Sequence, residues 1–235
     1  MRMHDQSFGE RALERMLKKG DFRGIPAIDQ NEFRSSNLAA AKAGAHTSFD
    51  KPANPLGAFE LKKKTIYTLP KLSDELVVRK LCDNLRPLIT SRNRGRAAIV
   101  ANLGLLLEEG TPYRIYRLDV KSFYESFDVN GVCEKVKGLA ELSPMSKTLI
   151  TSLLASHVAI GGHGIPRGLA LSASLSDLMM QDFDNIMISH KHVFFYARYV
   201  DDIIIITSAI ELKSNFQQEI ETTLPSNLKP ESVTS

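Results

Sequence analysis

Over residues 8–19, Phe8, Leu13, Met16 and Leu17 recur among charges at helical spacing, which predicts a short amphipathic helix ending at Gly20. From Ser35 to Gly57 the pattern lapses into Ala, Ser, Asn, Pro and Gly, with AAAKAGA followed by KPANPLG. That is turn and linker chemistry, and it sets the start of the main fold near Ala58. Thr65 to Leu69 alternates like a short strand, Glu75 to Leu88 has helical periodicity, and SRNRGR before AAIVANLGLLL reads as a basic turn leading into a helix. After Gly110 the pattern changes to apolar β-rich runs, YRIYRLDV, VFFYAR and DIIIIT, with helical stretches between them. One of these helices carries Leu171, Leu175, Leu178, Met179, Phe183 and Ile186 as an apolar stripe expected in the core. A last helix is expected from Glu211 to Leu224. Helices alternating with strands in one compact length predict an α+β or α/β sheet domain without internal repeats.

With 235 residues, 43% of them apolar, the chain can fill a sizeable core, so disorder is a poor overall description. Cys82 and Cys133 are the only cysteines and are too far apart for zinc-type spacing, which argues against a disulfide framework and for a reducing, cytoplasmic setting. The start lacks the apolar run of a secretion signal, and no stretch approaches the roughly 18 apolar residues of a membrane span. A net charge of +3 does not announce a polyanionic partner. The window Lys62–Arg96 changes that picture, because ten Lys and Arg stand there against three acidic residues. Its alternative reading is an ordinary solvated face.

Candidate chemistry is densest in Val193–Thr207, VFFYARYVDDIIIIT, where an aromatic and a β-branched run flank Tyr199-Val200-Asp201-Asp202. The acidic pair falls where a hairpin turns. Strands this apolar are expected to be buried, and burial of adjacent carboxylates makes a divalent cation the natural compensation. Asp is also a good turn residue, and a pair that merely faces water stays open. Asp119 ends the run in YRIYRLDVKSFYESFD, the position from which open sheets present ligands. Its rival role is a helix N-cap, competing with Ser122 and Asp128. Neighbouring strands in one sheet would bring Asp119 to Asp201 and Asp202, and such oxygen donors suit Mg²⁺. In GGHGIPRGLALSASLSDL, Gly161 to Leu178, a Gly-rich turn precedes a small-residue helix but lacks the P-loop pattern. His157 and His163 have no ligand partners at metal spacing and are expected as solvent-exposed turn residues.

Asp119 in LDVKSFYESFD, the IPRGLALSASLSDL turn and helix, and YVDD between apolar strands resemble, in order, motifs A, B and C of reverse transcriptases. The resemblance covers roughly Leu61 to Pro230. KKKTIYTLPKL and SRNRGRAAIV are similar to the basic fingers segments, and the wording of motifs A and B resembles the bacterial retron-related and defence-associated branch. It implies a right-hand polymerase fold with an antiparallel palm sheet and packed helices: an N-terminal helix and linker at 1–57, fingers at 58–112 and palm at 113–235. It implies RNA-directed DNA synthesis with two Mg²⁺ ions, Mn²⁺ as a substitute, held by Asp119, Asp201, Asp202 and the Val120 carbonyl. Tyr124 would be the steric gate against a ribonucleotide 2′-hydroxyl, with Phe123 packed inside. Lys62, Lys63, Lys64, Arg92, Arg94 and Arg96 would hold triphosphate and template phosphates, and Arg167 and Gly168 would line the substrate site. The partners implied are an RNA template, a DNA or RNA primer and dNTPs, with room for an additional protein or RNA and no membrane.

The chain departs from the family pattern at Arg167, where Gln is common, and at Ser172-Ala173 or Ser174-Leu175, where Ser-Pro is common. Lys229 lies near the expected motif D, and a thumb is expected to be missing. Two further functions stay open at this level: template-independent or protein-primed synthesis by the same residues, and a non-catalytic nucleic-acid-binding scaffold.

Overall fold

The computed structural model describes residues 4–47, 49, 54–90, 96–108, 112–225 and 227–234. Along the chain these form α1 (Glu10–Glu14), α2 (Gln30–Thr47), β1 (Gly57–Leu61), β2 (Lys64–Thr68), α3 (Leu72–Leu85), α4 (Arg96–Leu107) and β3 (Arg114–Val120). They continue with α5 (Val129–Gly138), α6 (Pro144–Ala159), α7 (Ala170–Ser189), β4 (Val193–Tyr199), β5 (Asp202–Thr207), α8 (Lys213–Thr223) and β6 (Pro230–Thr234). The mixed helix and sheet composition agrees with the α+β expectation. Two compact units result, Met1–Ile89 with Val129–Leu175, and Thr90–Asp128 with Ser176–Ser235.

In the first unit, α3 buries Leu76, Val77, Val78, Leu81 and Leu85, and α6 buries Leu149, Ile150, Leu153 and Leu154. Ser143 caps α6 by accepting the Ser146 N–H at 3.2 Å, and Pro144 follows at the first helical position, where its missing N–H costs nothing. Buried Asn84 donates to the Ser146 hydroxyl at 2.9 Å and to the Gln6 carbonyl at 3.1 Å. The N-terminal helix is shorter than its pattern predicts, α1 giving way to a 3₁₀ turn at Lys19–Phe22.

The linker expected from Ser35 is instead helix as far as Thr47. Alanine is the best helix former, and AAAKAGA supplies it in a run. Leu38, Ala41 and Ala45 fall on one face and are buried, so the segment reads as a packed helix once α1 and α3 are there to receive it.

The second unit is built on a four-stranded antiparallel sheet in the order β4-β5-β3-β6. Tyr116, Leu118 and Val120 alternate along β3 as buried residues, and their β5 counterparts Ile203 and Ile205 are buried on the same face. Arg117 and Asp119 point to the other, open face. β6 was not expected: PESVT has weak strand character, and its pairing with β3 supplies the backbone hydrogen bonds that its composition does not announce. The apolar stripe of α7 is shifted from the one predicted. Leu171, Leu175, Leu178 and Phe183 are buried as expected, but Met180 and Met187 take the places of Met179 and Ile186, and Ile186 is exposed.

Candidate active site

Asp119, Val120, Asp201 and Asp202 lie at one end of the sheet in the second unit. Asp119 pairs directly with Asp202 across β3 and β5, so the two share one face. Tyr199 pairs with Asp202 across β4 and β5, which leaves Val200 and Asp201 as a two-residue hairpin turn. The Val120 N–H donates to the Asp201 carbonyl at 3.3 Å, tying the turn to the end of β3. Asp119 is in the strand and ten residues short of α5, so it is no helix cap.

The setting differs from the buried one predicted. Asp119 is exposed, and Asp201 and Asp202 are half-buried. The apolar strands bury their other face, and the two-residue period leaves the acidic end open to solvent. Mutual repulsion, rather than burial, is therefore what disfavours this arrangement without a cation. Arg117 offers only partial relief, its well-exposed guanidinium lying 3.6 Å from the half-buried Asp202.

Val200 adopts φ +60°, whereas Asp201 does not enter the left-handed region. Such a turn favours Gly at its first central position, and a β-branched residue there costs about 1–3 kcal/mol. The turn is held from behind by Arg198, which is buried on the core side of β4. Arg198 donates to both carboxylate oxygens of Asp184, to Asp177 and to the Val200 carbonyl. Burial alone would lower the guanidinium's affinity for its proton, but Asp184, Tyr196 and Asp177 reverse this and hold it firmly charged. The Tyr196 hydroxyl, which donates to Asp184, is pushed well above its ordinary range by burial and by that carboxylate. Neither Arg198 nor Asp184 is visible in sequence as a site residue. The only signal is an Arg inside an otherwise apolar strand, which demands a buried partner.

Beyond Val120 the chain turns through Ser122, at φ +48°, and packs Phe123 and Phe127 inside, as predicted for Phe123. Tyr124 is half-buried, edge-on to Phe123 at 5.4 Å between ring centroids. The β3–β6 register sets Pro230 opposite Val120, and the Lys121 N–H donates to the Lys229 carbonyl at 3.3 Å. Lys229 thereby joins the carboxylate end of the sheet.

Of the remaining predicted residues, Arg96 belongs to the second unit, and the others belong to the first unit or fall outside the described residues. Lys62 and Lys63 form the tip of the β1–β2 hairpin, both at positive φ, and with Lys64 they are exposed. Arg92 and Arg94 lie outside the described residues, and Arg96 opens α4. Part of the basic window is engaged internally. Arg79 binds Asp21 and Glu75, and buried Lys80 binds Asp83 and the Asp5 carbonyl. Arg167 accepts the Tyr67 N–H on its carbonyl at 2.7 Å, and Gly168 packs against the same strand. His157 is buried rather than exposed, edge-on to Tyr67 at 4.4 Å. It lies on α6, and Gly162 leaves space for its ring: a β-carbon there would stand 2.1 Å from it. His163 is exposed as expected.

Among the described residues, no three or more His, Cys, Asp or Glu side chains converge as a ready-made metal cage. The donor set nevertheless fits Mg²⁺: carboxylates on β3, on β5 and on the β4–β5 turn, all hard oxygen donors, without His or Cys among them. The family model for reverse transcriptase (RNA-dependent DNA polymerase) matches residues 63–228, and the chain belongs to that family of nucleotidyltransferases. The match spans motifs A, B and C. The family is generally Mg²⁺-dependent and acts on a nucleic-acid template and primer with dNTPs. No curated protein matches the chain. No helix among the described residues is long and apolar enough to cross a membrane.

Proposed function

We propose that this chain performs RNA-templated DNA synthesis, adding deoxynucleotides to a primer 3′ end. The observation that carries the reading is the pairing of Asp119 with Asp202 beside the Asp201 turn. Asp119, Asp201 and Asp202, with the Val120 carbonyl, would hold two Mg²⁺ ions, Mn²⁺ substituting. When bound, such ions lower the pKa of the primer hydroxyl and neutralise charge on the triphosphate.

The chain's own residues supply position and selection. Tyr124, five residues after Asp119 and edge-on to Phe123, would exclude a 2′-hydroxyl. The exposed Lys62, Lys63 and Lys64 offer mobile cations to phosphates, a role extended to Arg94 and Arg96. Arg167 and Gly168 are assigned to the substrate side of the motif B turn. Fingers at 58–112 and palm at 113–235 are assigned along the chain. The wording of motifs A and B supports a bacterial retroelement or antiphage defence setting, and Cys82 and Cys133, which form no disulfide, suit the cytoplasm.

Primer extension on an RNA template with Mg²⁺ or Mn²⁺ tests the reading. RNA-dependent extension that Asp201→Asn abolishes is the expected result. Products that do not need the template point to template-independent synthesis, and nucleic-acid binding without extension points to a scaffold.

A further inference from the structure

The turn that carries Asp201 is not one its own residues favour. Val200 stands at φ +60°, where Gly is preferred, and like charges on Asp119 and Asp202 push the strand ends apart. Two hydrogen bonds hold the turn's carbonyls: the Val120 N–H on Asp201 and Nη1 of Arg198 on Val200, each 3.3 Å long.

Arg198 is built to deliver that second bond. Its side chain is 1% exposed. Nε and Nη2 reach the two oxygens of Asp184 at 2.9 and 2.8 Å, a fork that fixes the guanidinium plane, and Nη2 also reaches Asp177 at 3.0 Å. Tyr196 holds Asp184 from β4 with its hydroxyl at 2.5 Å. With its plane set by α7, Nη1 has one direction left, toward Val200. Buried ion pairs contribute less net stability than apolar packing of similar volume, but they specify geometry, and here the geometry specified is that of the turn.

We propose that Arg198 is a positioning residue for Asp201: clamped to α7 by Asp184 and Asp177, it fixes the Val200 carbonyl and so aims the Asp201 carboxylate at the end of the sheet shared with Asp119. The catalytic consequence rests on the polymerase reading above; the structural one does not. Lysine keeps the charge and can pair with Asp184, but it lacks the fork needed to reach Val200 at the same time.

The test is Arg198→Lys in the full chain, with Tyr116→Phe as a comparator that loses a hydroxyl bond at the opposite end of the sheet. Hydrogen exchange at the Val120 amide should accelerate about tenfold in Arg198→Lys while Ile205 stays protected, because the Val120–Asp201 bond reports the turn. In primer extension kcat should fall at least about tenfold with the dNTP KM within about twofold, since small misplacements of catalytic groups are costly. Mn²⁺ affinity of the protein alone, followed by EPR, should weaken by about the same factor. Tyr116→Phe should leave all three readouts in place. Unchanged Val120 exchange and Mn²⁺ affinity in Arg198→Lys, whatever its melting temperature, would overturn the assignment. A wild-type chain without extension would instead sink the polymerase reading, leaving the exchange result to decide the role of Arg198.

Discussion

Gly168 lies so close to Tyr67 that a β-carbon placed on it would stand 2.6 Å from the Tyr67 carbonyl oxygen. The same strand donates the Tyr67 N–H to the Arg167 carbonyl at 2.7 Å, so the motif B turn and β2 touch backbone to backbone. Gly168 also stands at φ +109°, where L-residues are strained.

Gly168→Ala should therefore lower stability by about 2–3 kcal/mol, combining backbone strain with steric displacement of β2. Gly104, in exposed helix with nothing within 4 Å of its built β-carbon, is the contrast. Gly104→Ala should raise stability by up to about 1 kcal/mol. Denaturant midpoints of the two variants check both signs.

Asp119 and Asp202 oppose each other as like charges, and such pairs cost about 0.2–1 kcal/mol. Asp119→Asn should raise the melting temperature slightly while abolishing primer extension. Mn²⁺ should raise the melting temperature of the wild-type chain, by up to about 2.7 kcal/mol of stabilisation at a hundredfold excess over its dissociation constant, and should do much less to Asp119→Asn. Thermal melts with and without the ion make the comparison.

Lys62 and Lys63 occupy a two-residue hairpin turn at positive φ, a conformation that Asn-Gly adopts with less strain. The double substitution Lys62→Asn, Lys63→Gly should stabilise the first unit by about 1 kcal/mol. It should weaken template–primer binding and flatten its salt dependence by roughly one to two phosphate contacts. Titrations at several salt concentrations read the slope, and melts read the stability.

Asp21 is held below the usual carboxylate range by the Arg79 guanidinium, with burial opposing and the Lys18 N–H assisting. A depressed folded-state pKa means that its stabilisation is present above the unfolded value of about 3.9 and is lost as pH falls through the lower folded value. Acid titration should therefore destabilise the chain progressively below about pH 4. Asp21→Asn should be less stable near neutrality and should lose less on acidification. Melting temperatures from pH 7 to pH 3 give both curves.

Sequence alone determined the hairpin around YVDD, the strand ending in Asp119, the glycine turn before α7 and the order of the three motifs. These are local signals: alternation of two, β-branched runs, turn residues and a Gly whose backbone must bend. Tertiary structure decided the rest. The Ala-rich segment after Ser35 became α2 because α1 and α3 bury its face, and PESVT became β6 because β3 had an edge to fill. His157 went inside because Gly162 leaves room for its ring. The register that pairs Asp119 with Asp202, and the fork that ties Arg198 to Asp184, join residues whose proximity no periodicity encodes. Local pattern says which face a residue takes on its own element, whereas only packing says which residue it will meet there.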